Sequence, residues 1–261
     1  MESLSSNAPA AAFGDIIRHV KNETFERSIS LLGDDAFRRI SELSVAVFGV
    51  GGVGGWCAEA LVRTGVRKVT LVDDDVVAAS NTNRQRQASP GTIGRLKVEV
   101  LREILQGISP ESEIKSISER YTPETAGHFD DILAKADFVI DAIDSVDCKA
   151  HLIQRCVDDA ANGGPTLFSS MGAALRTDPT KVRISKFNKI AGDGLARALR
   201  NRFRKHGQPI PRHMCVHSDE LPAGNSNGIK GSLMPVTCTF GMALAHLVIS
   251  SCVNGCSPAR R

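Results

Sequence analysis

An α/β fold, built on a doubly wound and mostly parallel sheet with helices on both faces, is what three features of this chain predict. Short apolar runs rich in Val, Ile and Leu alternate with segments of helical period over residues 25–172, and such alternation leaves few topologies besides parallel strands joined by right-handed crossovers. A glycine cluster follows the first apolar run directly. Three aspartates close the second run, so the two form a strand, turn, helix and strand unit.

Each element has a local reason. "FERSISLLGDDAFRRISEL" places Ile29, Leu32, Phe37 and Ile40 at helical spacings and reads as helix. "SVAVFGV" is a buried strand, "GGWCAEALVRTG" a helix closed by Gly65, and "KVTLVD" a second strand. "GRLKVEVLREILQGIS" sets Val98, Leu101, Ile104 and Leu105 on one helical face, "EIKSISE" is a strand, and "TPETAGHFDDILAKA" a helix. "DFVIDAI" as strand, "SVDCKAHLIQRCVDDA" as helix and "PTLFSSMG" as strand complete the alternation. Beyond Gly172 the pattern changes to "KVRISKF", a basic helical stretch, a Gly/Pro/Asn-rich loop over 207–231, and an apolar helix "VTCTFGMALAHLVISSCV". One domain over 25–251 is expected, carrying a basic and loop-rich segment at 181–231, with flexible tails at 1–24 and 252–261.

The chain has 261 residues, 42% hydrophobic and 23% charged, as in ordinary soluble globular proteins. No uninterrupted apolar stretch approaches the roughly 18 to 20 residues that span a bilayer, so no membrane role is expected. The start, "MESLSSNAPAAAFGD", lacks a basic and then apolar leader and does not read as a secretory signal. Seven cysteines, an odd number without any C-x-x-C, read as reduced thiols of a cytoplasmic protein rather than staples or zinc ligands. The net charge of +3 is uneven: residues 181–212 carry ten Lys or Arg against Asp193 alone, so this segment is +9 and the remainder −6. A polyanionic partner is therefore worth considering.

Gly49, Gly51, Gly52 and Gly54 fit G-x-G-x-x-G between a strand and a helix. The helix N-terminus offers unpaired N–H groups and a positive dipole, which suits phosphate. Asp73 ends the next strand where a carboxylate takes ribose hydroxyls, so the unit resembles a Rossmann dinucleotide site. The residues after that strand do not suit NAD. "NTNRQRQ" brings Asn81, Asn83, Arg84 and Gln85, polar groups able to hold a triphosphate, where a nicotinamide needs an apolar slot. Lys97 adds a cation in the next helix, and Asp144, after "VIDAI", stands at a strand's C-terminal end where a carboxylate can hold Mg²⁺. Singly, Arg84 reads as a surface ion pair, Lys97 as a solvated helix face and Asp144 as a helix cap. Together, in order around one glycine loop, they favour ATP.

"GVGGVGGW", "LVDDD", "NTNRQ", a lysine in the next helix and "VIDAIDS" resemble the E1-like adenylating enzymes, the activators of ubiquitin-like and sulfur-carrier proteins among them. "NTNRQ", "DAIDS", "DPT" and "HSDELP" make the chain most similar to the tRNA threonylcarbamoyladenosine dehydratases of that group, over about Phe25 to Ser250. The resemblance implies that Gly49, Gly51, Gly52 and Gly54 face the ATP phosphates, Asp73 the ribose and Asp75 the edge of the nucleotide. It implies that Asn81, Arg84, Gln85 and Lys97 clamp phosphates, that Asp144 holds Mg²⁺, and that a homodimer forms in which Arg27 of "TFERS" reaches into the partner's ATP site. Arg27 otherwise reads as a surface arginine. Relatives often have serine where this chain has Gly55.

By the same resemblance, ATP would activate the carboxylate of the threonylcarbamoyl group on adenosine 37 of tRNA. A nitrogen of that group would then displace AMP and close a ring, with net loss of water. Such chemistry asks little proton transfer of the protein, consistent with a candidate set of Arg27, Arg84, Lys97 and Asp144 that holds cations and no histidine. The absence of paired C-x-x-C motifs separates the chain from the usual activators of carrier proteins, which remain one alternative, a non-catalytic nucleotide-dependent scaffold being another. In "ARALRNRFRKHG", Arg197, Arg200, Arg202, Arg204 and Lys205 would meet tRNA phosphates or form a solvated helix face. Cys215, in the expected loop, and Cys238, in the apolar helix, are the cysteines considered as nucleophiles. Ring closure is intramolecular and leaves both outside the catalytic set.

Overall fold

The structure is a computed structural model and describes residues 23–160, 162–224 and 228–253. Seven strands form one sheet in the order β3-β2-β1-β4-β5-β7-β6. They are β1 (Ser44–Phe48), β2 (Lys68–Val72), β3 (Glu113–Ile117), β4 (Phe138–Asp141), β5 (Thr166–Ser170), β6 (Val182–Lys186) and β7 (Met214–Ser218). All neighbours are parallel except β6, which runs antiparallel to β7 at the sheet's edge.

Alternate side chains of each central strand enter opposite cores. Val45 and Val47 of β1, with Phe138 and Ile140 of β4, face the layer made by α2 (Asp34–Glu42), α3 (Gly54–Thr64), α4 (Lys97–Ile108) and α8 (Met234–Val253). Ala46, Phe48 and Val139 face α5 (Asp130–Lys135), α6 (Val146–Ala160) and α7 (Gly194–Lys205). The direction of winding reverses between β1 and β4, so the loops after these two strands border one crevice at their C-terminal ends.

The expected strands β1 to β5 and their helices are present. Gly33, with φ +79°, breaks the first helical segment into α1 (Glu26–Leu32) and α2. Gly65 closes α3 in the left-handed region at φ +111°. The segment expected as one helix before β4 is a 3₁₀ turn, Ala126–Phe129, followed by short α5.

Two expectations are corrected. The stretch 207–231 is not all loop: "MCVHS" is β7, inserted between β5 and β6. Its turn-rich flanks hide it in the sequence, yet β5 would otherwise end the parallel sheet with unpaired backbone groups. The second concerns helix α8, which reaches membrane-spanning length although polar residues interrupt its apolar run. Helix α8 has 20 residues and a mean hydropathy of 1.7 over its apolar window, enough to cross a membrane by length and composition alone. In this fold it is a core helix, with Val236, Phe240, Leu244 and Val248 fully buried against α3 and the sheet.

The expected tails at 1–24 and 252–261 lie almost wholly outside the described residues, as does Cys256, although α8 continues to Val253. Helix α8 approaches α3 closely because of Gly241, where an added Cβ would stand 2.6 Å from the Val53 carbonyl oxygen and 2.9 Å from the Cys57 nitrogen. Gly241→Ala is therefore expected to lower stability by about 1–3 kcal/mol in urea denaturation. An unchanged unfolding midpoint would show that the two helices can separate freely at this point.

Candidate functional site

The glycine loop is shaped by backbone contact. Gly49 donates its N–H to the Val72 carbonyl at 2.8 Å and adopts φ +86°, and a Cβ there would lie 2.7 Å from the Ala142 carbonyl oxygen after β4. At Gly54, the first residue of α3, a Cβ would collide with the Gly49 carbonyl. Gly49 itself, with Gly51 and Gly52, lines a cleft of about 740 Å³ at the β1/β4 crevice. A Cβ on Gly51 would meet only Gln85 Nε2, at an ordinary 3.7 Å, so bareness there serves what enters the cleft rather than the fold.

Asp73, at the end of β2, holds this loop. Its Oδ2 accepts the Val50 N–H at 2.8 Å and its Oδ1 the Asp75 N–H at 2.9 Å. Burial pushes its carboxyl up from the usual range, opposed by those N–H bonds and by Lys97. Lys97, at the start of α4, is buried and donates to Asp75 Oδ2 at 2.6 Å. The carboxylates of Asp73, Asp74 and Asp75 lie within 4.8 Å of one another, and Lys97 offsets part of that charge.

The segment after β2 is tied to α3. The Trp56 indole N–H donates to the Arg84 carbonyl at 3.0 Å, buried Gln87 donates to the Val50 carbonyl at 2.7 Å, and Arg86 pairs with Glu59. Gly55 packs under this segment, where a Cβ would stand 3.1 Å from Gln87 Oε1. The segment presents Asn81, Arg84 and Gln85 to the cleft. The Arg84 guanidinium donates to the Ser80 carbonyl and to Asn83 Oδ1, both at 2.9 Å, and Asn81 Oδ1 accepts the Ala78 N–H at 3.0 Å.

Across the crevice, Asp144 is exposed in the cleft and has no hydrogen bond or ion pair among the described residues. Such an exposed oxygen donor fits a hard divalent cation. Thus Gly51, Gly52, Asp73, Asp75, Asn81, Arg84, Gln85, Lys97 and Asp144 converge on one cleft, with Gly49 and Gly54 framing it. Arg27, exposed on α1, does not line the cleft of its own chain.

Reading the sequence missed the far wall. Thr237 of α8 packs beside Gly52, and Arg120, Arg176, Asp193 and Lys230 also line the cleft. Arg176 and Asp193 form a buried pair at 3.0 Å; Asp193 Oδ1 caps α7 through the Ala196 N–H at 2.9 Å. These residues are distant in sequence and meet only through the sheet, so no local spacing marks them. The cleft is also less cationic than its motifs suggest. Glu119 and four aspartates besides Asp193 accompany its five cations, and no histidine lines it among the described residues.

Of the two cysteine candidates, Cys215 differs from expectation and Cys238 lies in the apolar helix as expected. Cys215 lies in β7, not in a loop; it is fully buried and its thiol is pushed up by desolvation, which removes it as a nucleophile. Cys238 is half-buried on α8, and burial likewise pushes its thiol up.

The profile of the ThiF family matches residues 25–253. The tRNA threonylcarbamoyladenosine dehydratase of Bacillus subtilis (strain 168) is 39% identical over 199 residues, covering 76% of this chain and 75% of its own. That of Escherichia coli (strain K12) is 36% identical over 189 residues, covering 72% of this chain and 68% of its own. A crystal structure of E. coli tRNA N6-threonylcarbamoyladenosine dehydratase, TcdA, in complex with ATP aligns with a TM-score of 0.82 at 33% identity, covering 90% of this chain and 96% of that one.

Trp56 is the chain's single tryptophan and bonds directly to the Arg84 backbone. An anion seated on Gly51 and Gly52 that draws on Arg84 is expected to change Trp56 emission saturably when inorganic pyrophosphate is titrated in. Flat emission beside calorimetric binding of the same anion would contradict this placement.

Proposed function

The chain belongs to the ThiF family, and from that membership we propose that it is an ATP-dependent tRNA threonylcarbamoyladenosine dehydratase, one E1-like adenylation domain spanning 25–251. The observation that carries the reading is the meeting of a bare glycine cradle, Arg84 and an unpaired Asp144 in one cleft. The chain around that cleft is 39% identical to a protein so named.

ATP lies with its phosphates along Gly51, Gly52 and the N-terminus of α3, whose N–H groups favour anions. Asp73 faces the ribose and Asp75 the nucleotide edge, while Asn81, Arg84, Gln85 and Lys97 surround the phosphates. Lys97 carries a further part: its tie to Asp75 fixes the wall on which the nucleotide rests. Asp144 holds Mg²⁺, which, when bound, neutralises phosphate charge and so favours attack at the α-phosphorus. That charge also answers the cleft's several carboxylates.

The substrate carboxylate of the threonylcarbamoyl group attacks the α-phosphorus and pyrophosphate leaves. A nitrogen of the same group then attacks the activated carbonyl carbon and loses its proton, and AMP departs with one former carboxylate oxygen. The sum is loss of water and formation of a ring. Arg84 stabilises charge developing on the phosphates, and the absence of a histidine among the described cleft residues agrees with a reaction driven by charge stabilisation.

For tRNA, the proposed contact is the exposed face of α7. Gly194, Leu195 and Ala198 border the cleft, and Arg197, Arg204 and Lys205 extend outward from it. Arg200 and Arg202 contribute less, since Arg200 donates to the Ile190 carbonyl at 2.9 Å and Arg202 pairs with Asp147 at 2.6 Å. Arg27, outside its own cleft, completes the site of the other copy in a homodimer. The setting is the cytoplasm.

The test is to incubate the protein with ATP, Mg²⁺ and tRNA carrying threonylcarbamoyladenosine and to weigh the nucleoside after digestion. Loss of the mass of one water is expected. Arg84→Ala and Asp144→Ala are each expected to slow the reaction about 10²-fold or more with an unchanged circular dichroism spectrum. An intact nucleoside beside active ATP turnover would overturn the assignment.

A further inference from the structure

The Asp144 turn is held from beneath by a side chain that the proposed chemistry does not use. Lys149 of α6 is fully buried, and its Nζ lies 2.9 Å from Asp141 Oδ2, 3.2 Å from the Asp141 carbonyl and 3.1 Å from the Ile143 carbonyl. An ammonium has three protons to donate, and all three have acceptors in residues 141–143. Asp141, also fully buried, accepts the Ile143 N–H on Oδ1 at 3.2 Å and the Ser169 hydroxyl on Oδ2 at 2.8 Å. The turn is therefore fixed through its carbonyls, an N–H and the strand end before it. On its other side the Ala142 carbonyl faces Gly49.

A buried ion pair is seldom the most stable filling for such a space, since apolar residues of similar volume often do as well or better. What this pair supplies is direction: three charge-assisted bonds set where the backbone carries the next side chain, Asp144. Groups that orient a metal-binding residue affect metal affinity even without touching the metal.

We infer that Lys149, acting through Asp141 and the 141–143 turn, is a positioning residue that fixes Asp144 for its divalent cation and thereby sets how strongly the metal tightens nucleotide binding. This rests on the proposed role of Asp144. Lys149 reaches neither nucleotide nor metal; its effect is confined to the metal-dependent part of binding.

The experiment measures ATP affinity of the purified full chain by calorimetry with MgCl₂ and again with EDTA, together with thermal melting. Lys149→Met alone leaves Asp141 buried without a partner and is expected to destabilise the fold. The double variant Asp141→Leu/Lys149→Met leaves no unpaired charge, although Ser169 and the 141–143 backbone lose partners, and is expected to melt below the parent but above Lys149→Met. In the double variant, the gain in ATP affinity from Mg²⁺ should fall about 10- to 100-fold, while affinity in EDTA, which the glycine cradle supports, stays at the parent's value. A folded double variant that keeps the parent's full gain from Mg²⁺ would overturn the inference and leave the pair a structural one. Asp144→Ala separates this from the reading beneath it: if that variant too keeps the gain, or the parent has none, the metal role of Asp144 fails and the inference falls with it.

Discussion

Everything at this site depends on a close backbone contact at the centre of the sheet. The glycine loop after β1 presses against the turn after β4, with room for no Cβ between Gly49 and the Ala142 carbonyl, and none between Gly54 and the Gly49 carbonyl. That contact brings a cradle of N–H groups and the Asp144 turn to the two sides of one crevice, although they are far apart in the chain. Glycine is needed at the frame for packing and at Gly51 for access, while at Gly52 a Cβ would also crowd Arg84 and Thr237. The four glycines of one motif thus divide between building the site and leaving it open.

Charge in the cleft is divided in a similar way. Buried Lys97 reaches the exposed Asp75 at the cleft surface, while Arg176 with Asp193 pairs inside the wall and fixes its shape. The buried Lys149 and Asp141 pair does the same for the turn beneath. Arg84 is different: its partners are a carbonyl and an amide oxygen, not a carboxylate, so its charge is not neutralised locally. Asp144 faces the cleft unpaired among the described residues. Buried charges are paired because desolvation demands it; those left at the surface of the cleft are the ones available to a ligand.

The alternation of strands and helices over 25–172 was legible because each element satisfies a local rule: Val45 to Phe48 alternate between two cores, and Gly65 ends α3 in a conformation that suits glycine. The near half of the site was legible for the same reason, its residues following strands at fixed short intervals. β7 was not, since five residues between turn-rich flanks carry no periodicity and are specified by the open edge of β5. Thr237, Arg176 and Lys230 were hidden because only the sheet order brings them to the cleft. The spanning length of α8 was hidden because Thr, Ser and His interrupt its apolar run, and only its packing on α3 shows it to be a core helix.

The central claim is that this cleft activates a carboxylate by transferring AMP to it, and isotope tracing tests that most directly. With oxygen-18 in the carboxylate of tRNA-bound threonylcarbamoyladenosine, a single turnover should deliver one labelled oxygen into AMP, seen by mass spectrometry. Label appearing in phosphate or pyrophosphate, with none in AMP, would contradict adenylation as the activating step.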